Sequence, residues 1–183
     1  RAISMSTCKL THAQHRQWAI DGYLLLKGVL PKKSVADLVR QVDRLHRNHV
    51  LRNPAAKTPL GLDKPNILPD SRNFLDLIDH AATFEPIVEL MGPHIQLSMA
   101  EAVLRPPDPK YAGFIHTDGG QALRQIRVSE TSWPLYLKVQ YFLTDVKTPY
   151  KGNFTVFPGS HLRPFPDGQA PVTTTTPGAV QLC

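Results

Sequence analysis

The chain has few of the residues that mark specialised protein classes. Only two of its 183 residues are cysteine, Cys8 and Cys183. They sit near opposite ends and form no C-x-x-C pair, so neither a disulfide scaffold nor a cysteine-based zinc site is indicated. A reducing, cytoplasmic setting is the expectation. No apolar run approaches the roughly 20 residues needed to span a bilayer as a helix. No stretch resembles a secretory signal, with its charged start and apolar middle. Walker phosphate-loop spacing is absent, and Gly119-Gly120 has no following P-loop lysine. There is no Gly-x-Ser-x-Gly elbow, so Ser160-His161 does not read as a hydrolase pair. Internal repeats and low-complexity tracts are also missing.

What remains has the composition of an ordinary globular domain, with 42% hydrophobic and 20% charged residues. The net charge of +6 is unevenly distributed. Residues 1–52 hold ten Lys/Arg against three Asp/Glu, whereas residues 53–183 hold eleven against twelve. The basicity therefore belongs to the N-terminal segment. Without a nucleic-acid motif beside it, it reads as a solvated helix face. The expectation is no nucleic-acid partner and no membrane partner.

Local signals organise the first half. Thr11-His12-Ala13-Gln14 has capping-box spacing, which predicts a helix from Thr11 to the Asp21-Gly22 turn. Tyr23 to Leu26 reads as a short buried strand. Pro31 suits the first turn of a second helix, whose apolar face carries Val35, Leu38, Val39, Val42 and Leu45. Residues 52–70, with four prolines, read as a long loop. Phe74–Ile78 and Phe84–Met91 predict short helices, the second stopped by Gly92-Pro93.

From His94 onward β-favouring segments take over. Strands are expected over Ile95–Leu104, Leu135–Val146, Phe154–Phe157, Val172–Thr176 and Ala179–Leu182. Helices first and strands afterwards argue for an α+β class. The expected organisation is one domain over 1–183, mostly helical over 1–93 and strand-built over 94–183.

One triplet carries chemistry. In His116-Thr117-Asp118 the first and third side chains point to the same side of an extended chain. An imidazole and a carboxylate then converge, which suits a divalent metal such as Fe(II) in a two-histidine, one-carboxylate triad. Taken alone, such a triplet also describes a surface pair or a hydrogen-bonded pair.

Its surroundings extend the reading. The ordered features are Val103-Leu104-Arg105-Pro106-Pro107, His116-Thr117-Asp118, the Val139–Val146 segment, and Gly152-Asn153-Phe154-Thr155-Val156-Phe157-Pro158-Gly159-Ser160-His161. Together they resemble the phytanoyl-CoA dioxygenase family of Fe(II)- and 2-oxoglutarate-dependent oxygenases. The last block is similar to the family's N-G-x-x-x-x-x-P-G-S-H signature, with Asn and Gly in swapped order. The helix, Asp-Gly turn, strand and second helix of the N-terminal part fit as well.

The resemblance implies a double-stranded β-helix, or jelly-roll, with N-terminal helices packed on it. It implies His116 and Asp118 as iron ligands, 2-oxoglutarate as co-substrate, and hydroxylation of a small-molecule substrate by O₂. A carboxylate at Asp118 favours hydroxylation over halogenation. His161 belongs to the signature and is expected to close its turn by hydrogen bonding, not to bind metal. The resemblance also implies a second iron histidine and a 2-oxoglutarate arginine further along, with the last jelly-roll strands. No histidine follows His161 and no arginine follows Arg163. The expectation is a longer parent protein, the alternative being a non-catalytic jelly-roll or an inactive family member.

Other candidates rest on residue type alone. Lys138 and Gln140, sharing one face of a strand, are candidate 2-oxoglutarate contacts. Glu101 either lines the same pocket or faces water. Trp133, Tyr136, Arg124, Arg127 and the loop 53–70 are candidates for the substrate side. His12/His15 and His46/His49 are spaced to share a helix face, but zinc needs further donors.

Overall fold

A computed structural model describes residues 9–55, 60–106, 116, 131–148, 153–162, 172–173 and 180–182. These residues form a mixed helical and antiparallel-sheet structure, compatible with the α+β class.

Helix α1 (His12–Asp21) starts and stops where its sequence signals lie. The Thr11 hydroxyl accepts from the Gln14 N–H, the Gln14 side chain accepts from the Thr11 N–H at 2.8 Å, and Gly22 adopts φ 75°. Strand β1 (Leu24–Leu26) buries Leu24. Helix α2 (Lys32–Arg52) follows Pro31 and turns Leu38 and Leu45 fully inward. Val35 and Val42 pack beside them, as a 3.6-residue apolar period requires.

Beyond α2 the structure departs from the expected long loop. Strand β2 (Leu62–Pro65) lies inside it and pairs antiparallel with β3 (Glu101–Leu104), Leu62 opposite Leu104 and Pro65 opposite Glu101. Four residues without alternating hydrophobicity give no local strand signal, and only the distant partner makes this segment a strand. After Pro65, Asn66 takes φ 54° and a 3-10 turn (Leu68–Asp70) diverts the chain. The ladder with β3 therefore ends there, apart from one more bond from Ile67 N–H to Ala100 O at 3.3 Å. This is why the strand expected over Ile95–Leu104 is regular only from Glu101.

Helix α4 (Ala81–Met91) covers the predicted Phe84–Met91 region, whereas α3 (Arg72–Leu75) overlaps the predicted Phe74–Ile78 helix only at Phe74 and Leu75, and residues 76–79 form a turn instead. Helix α4 starts three residues before Phe84, because the His80 carbonyl accepts from the N–H groups of Thr83 and Phe84 at 2.9 and 2.8 Å.

The strand expected over Leu135–Val146 forms ladder bonds only in β4 (Val139–Tyr141), because its partner β7 (Val180–Leu182) has the same short span. Strand β7 is central, with β1 on one side and β4 on the other, both antiparallel. Strands β5 (Thr155–Val156) and β6 (Val172–Thr173) pair separately. Two strands of the helical half, β1 and β2, are thus hydrogen-bonded to strands of the second half.

Among the described residues the core forms two clusters. One gathers Leu30, Leu38, Leu45, Leu62, Ile67, Phe74 and Ala102, and the other Leu10, Leu24 and Leu90. Val29 and Tyr141 pack against both. Tyr141 also makes a polar tie between sheet and helices. Its hydroxyl donates to Leu77 O at 3.0 Å and lies 2.8 Å from the hydroxyl of Thr83, which is 1% exposed. Burial raises the Tyr141 pKa, and the Thr83 contact opposes this in part.

Candidate active site around His116

The geometry of β4 sorts its side chains. Val139 and Tyr141, with Leu143 beyond them, pack against the helical core clusters. Alternation along an extended chain sends Lys138, Gln140 and Phe142 to the opposite face. Phe142 meets Phe154, next to β5, with ring centroids 6.0 Å apart and planes tilted by 52°. In β3 the same alternation puts Ala102 and Leu104 in the core and Glu101 and Val103 away from it. The two faces meet at the ion pair from Lys138 Nζ to Glu101 Oε1, at 3.8 Å. Both side chains are mostly covered, at 24% and 30% exposed.

His116 is solvent-exposed. Asp118, Arg124 and Arg127 lie outside the described residues. Among the described residues no group of three or more His, Cys, Asp or Glu side chains is placed to hold a metal ion. The fit of iron to this site therefore rests on donor chemistry. A neutral imidazole and a carboxylate at i and i+2 are donors that Fe(II) accepts.

Gln140 pairs in register with Gln181 of β7. The structure brings Lys138 and Glu101 together and places Gln140 on the same face as Lys138. Trp133 is 69% exposed, which excludes a buried core role, and Tyr136 is half-buried.

The signature block does something local sequence does not show. His161 was expected to close its own turn. Instead its Nε2 lies 3.2 Å from Ala19 O, in the last turn of α1, 142 positions away. Gly159 N–H donates to Asp21 O at 2.9 Å. The imidazole lies so close over Gly22 that a Cβ there would sit 2.3 Å from His161 Nδ1. Partial removal of the ring from water lowers its pKa, against the Ala19 carbonyl and the Asp21 charge, which raise it. His161 thus ties the block to α1.

The opposite end of α1 is held by α4. Glu89 accepts from Leu10 N–H at 3.0 Å and from His15 Nε2 at 2.7 Å. The Leu10 N–H and then the His15 ring hold the Glu89 carboxyl below its usual pKa. Helix α1 buries no residue of its own, so these two polar clamps and the half-buried Trp18 fix it. His46 likewise contacts a backbone carbonyl, Leu60 O, at 2.6 Å. His15 and His46 therefore have structural partners. Sequence spacing could not have found these contacts, because each partner lies on a different element.

No described helix is long and apolar enough to cross a membrane. The chain matches no family model, no curated protein and no solved structure.

Proposed function

We propose that this protein is an Fe(II)- and 2-oxoglutarate-dependent dioxygenase that hydroxylates a small or medium organic substrate, on a jelly-roll framework with N-terminal helices packed against it. The observation that carries the reading is the order of His116-Thr117-Asp118, the β4 segment and the Pro158-Gly159-Ser160-His161 block, which resembles the phytanoyl-CoA dioxygenase family. The architecture supports it in two ways. His116 is solvent-exposed, and His161, which this reading does not count as a ligand, is engaged with Ala19 O.

In this reading His116 and Asp118 hold the metal. Bound Fe(II) supplies the redox chemistry by which 2-oxoglutarate, O₂ and a substrate C–H become succinate, CO₂ and an alcohol. The ammonium of Lys138 and the amide of Gln140 orient the carboxylates of 2-oxoglutarate by charge-assisted and neutral hydrogen bonds. Phe142 and Phe154 form an apolar wall on the same face. The resemblance calls for a second histidine and an arginine in addition to these residues.

Anaerobic titration of Fe(II), or of Co(II) as a spectroscopic probe, tests the ligand assignment. The wild-type chain binds metal, and both His116→Ala and Asp118→Ala weaken it by at least about tenfold. Retained affinity in either variant removes that residue from the ligand set.

A second reading is a non-catalytic jelly-roll that binds a ligand, or an inactive family member. Residues 1–183 hold no histidine after His161 and no arginine after Arg163, so they do not choose between the two readings. The gene containing this chain discriminates the two. A further His and Arg in the implied order supports the enzyme; a reading frame without them supports the binding protein.

A further inference from the structure

Helix α2 carries six Lys/Arg against two Asp. At 3.6 residues per turn, Lys33, Arg40, Arg44, Arg47 and Leu51 fall within a sector of about 60°, opposite the inward-facing Leu38 and Leu45. All five are exposed. A basic stripe by itself is a solvated face, but the structure adds two observations. The charge of the stripe is only partly neutralised within the molecule. Arg40 pairs with Asp37, whereas Arg44 donates to the backbone carbonyl of Asp70 at 2.7 Å, and the Asp70 carboxylate is taken by Lys64 at 2.8 Å. Among the described residues Lys33 and Arg47 have no anionic partner. The stripe also runs into an apolar groove. His46, Arg47, Val50 and Leu51 line an open depression of about 270 Å³ near the C-terminal end of α2. Leu51 is 76% exposed there, and the His46 ring is held by Leu60 O at 2.6 Å. Small-molecule sites enclose roughly 300–1,000 Å³ and bury most of their ligand. This groove is smaller and open, and suits one anchoring side chain.

We infer that the exposed face of α2 docks an acidic segment of a partner protein, with carboxylates along Arg40, Arg44 and Arg47 and one apolar side chain in the groove against Val50 and Leu51. Charge complementarity selects the occupant. An arginine beside an apolar pocket is also the make-up of an interface hot spot. The groove argues against nucleic acid, because phosphates gain nothing from an apolar pocket. A lipid surface takes a broad apolar helix face, and α2 turns its own toward the core. At 1.5 Å per residue, Arg40 to Leu51 spans about 16 Å, some three turns of a docked helix. The inference does not use the dioxygenase reading.

The test is fluorescence anisotropy of the full chain with a fluorescein-labelled peptide, Glu-Glu-Leu-Glu-Glu-Ala-Leu-Glu-Glu. Binding is expected, and it should weaken as salt is added. Arg47→Gln and Leu51→Ser should each weaken it by about fivefold or more, as at a hot-spot contact. Replacing the peptide's leucines by serine should weaken the wild-type complex to a similar degree. Arg16→Gln removes the same charge from an exposed position on α1, and should change binding by less than about twofold. Absence of binding overturns the inference. So does an equal loss in Arg16→Gln and Arg47→Gln, which would mean diffuse attraction. Unchanged affinity in Leu51→Ser also overturns it, because the groove would then be idle. Duplex DNA and vesicles of phosphatidylserine and phosphatidylcholine are competitors in the same assay, and displacement of the peptide by either at equal anionic charge assigns the face to that polyanion instead. Thermal melts check folding, with Leu51→Gln read in place of Leu51→Ser if the latter unfolds.

Discussion

Substituting Gly22 by alanine examines the tie between the signature block and α1. Two effects act at this position. The residue adopts φ 75°, a left-handed conformation that costs an L-residue with a Cβ about 1–2 kcal/mol. The new Cβ would also lie 2.3 Å from His161 Nδ1 and 2.5 Å from its Cγ, inside van der Waals contact with the body of the ring. The imidazole must move, and its bond to Ala19 O, about 0.5–1.5 kcal/mol, goes with it. The combined loss is roughly 2–3 kcal/mol, which for a chain of this size lowers Tm by about 5–10 °C. Denaturant unfolding of Gly22→Ala, His161→Ala and the double variant separates the two effects. The backbone strain is present with or without the ring, whereas the clash needs it. The double variant should therefore cost less than the sum of the singles by about 1 kcal/mol. A Gly22→Ala protein within about 0.5 kcal/mol of wild type, or strictly additive costs, would refute the contact.

Three further outcomes follow from the same contacts. Tyr141→Phe strips the hydroxyl from Leu77 O and Thr83, and should lower stability by about 1–3 kcal/mol in urea unfolding; no loss means that the tie is dispensable. Glu89 has a folded-state pKa below its unfolded value of about 4.3, so its contribution is present above that pH and is lost as pH falls through the folded value. The Tm of Glu89→Gln should fall less steeply between about pH 5 and pH 3 than that of wild type, and identical slopes would exclude the clamp. His161 has a lowered pKa, so protonation opposes the folded state: its contribution is full above about pH 6.5 and is lost as pH falls below that value toward the folded pKa. Wild type should lose Tm on acidification through this window and His161→Ala should lose less, so equal losses would count against the tie.

Features encoded within a few residues were legible in the sequence. The Thr11/Gln14 capping box, the Gly22 stop and the apolar stripe of α2 all act over one or two helical turns, and the structure has each of them. Features that depend on distant partners were not. Strand β2 exists because β3 lies beside it, and Asp63 and Lys64 carry no mark of that. The long segments around β3 and β4 are β-favouring throughout, yet ladder bonds form only where a partner strand runs alongside. The site shows the same division. Period-2 alternation put Lys138, Gln140 and Phe142 on one face, and the packing of Val139 and Tyr141 against the helices agrees. That Glu101 approaches Lys138, or that His161 reaches α1, depends on how separate elements pack. Buried Thr83 had no sequence signal at all, since a threonine in the first turn of a helix is ordinary.

The central claim is that His116 and Asp118 belong to an iron site that couples 2-oxoglutarate to hydroxylation. Its most direct measurement is succinate formation by the protein encoded by the gene that contains this chain, supplied with Fe(II), O₂ and 2-oxoglutarate. The account predicts iron-dependent succinate release, increased by a true substrate and abolished by His116→Ala. The contradicting result is a folded parent protein that forms no succinate with iron present, or one whose turnover survives the loss of the His116 imidazole.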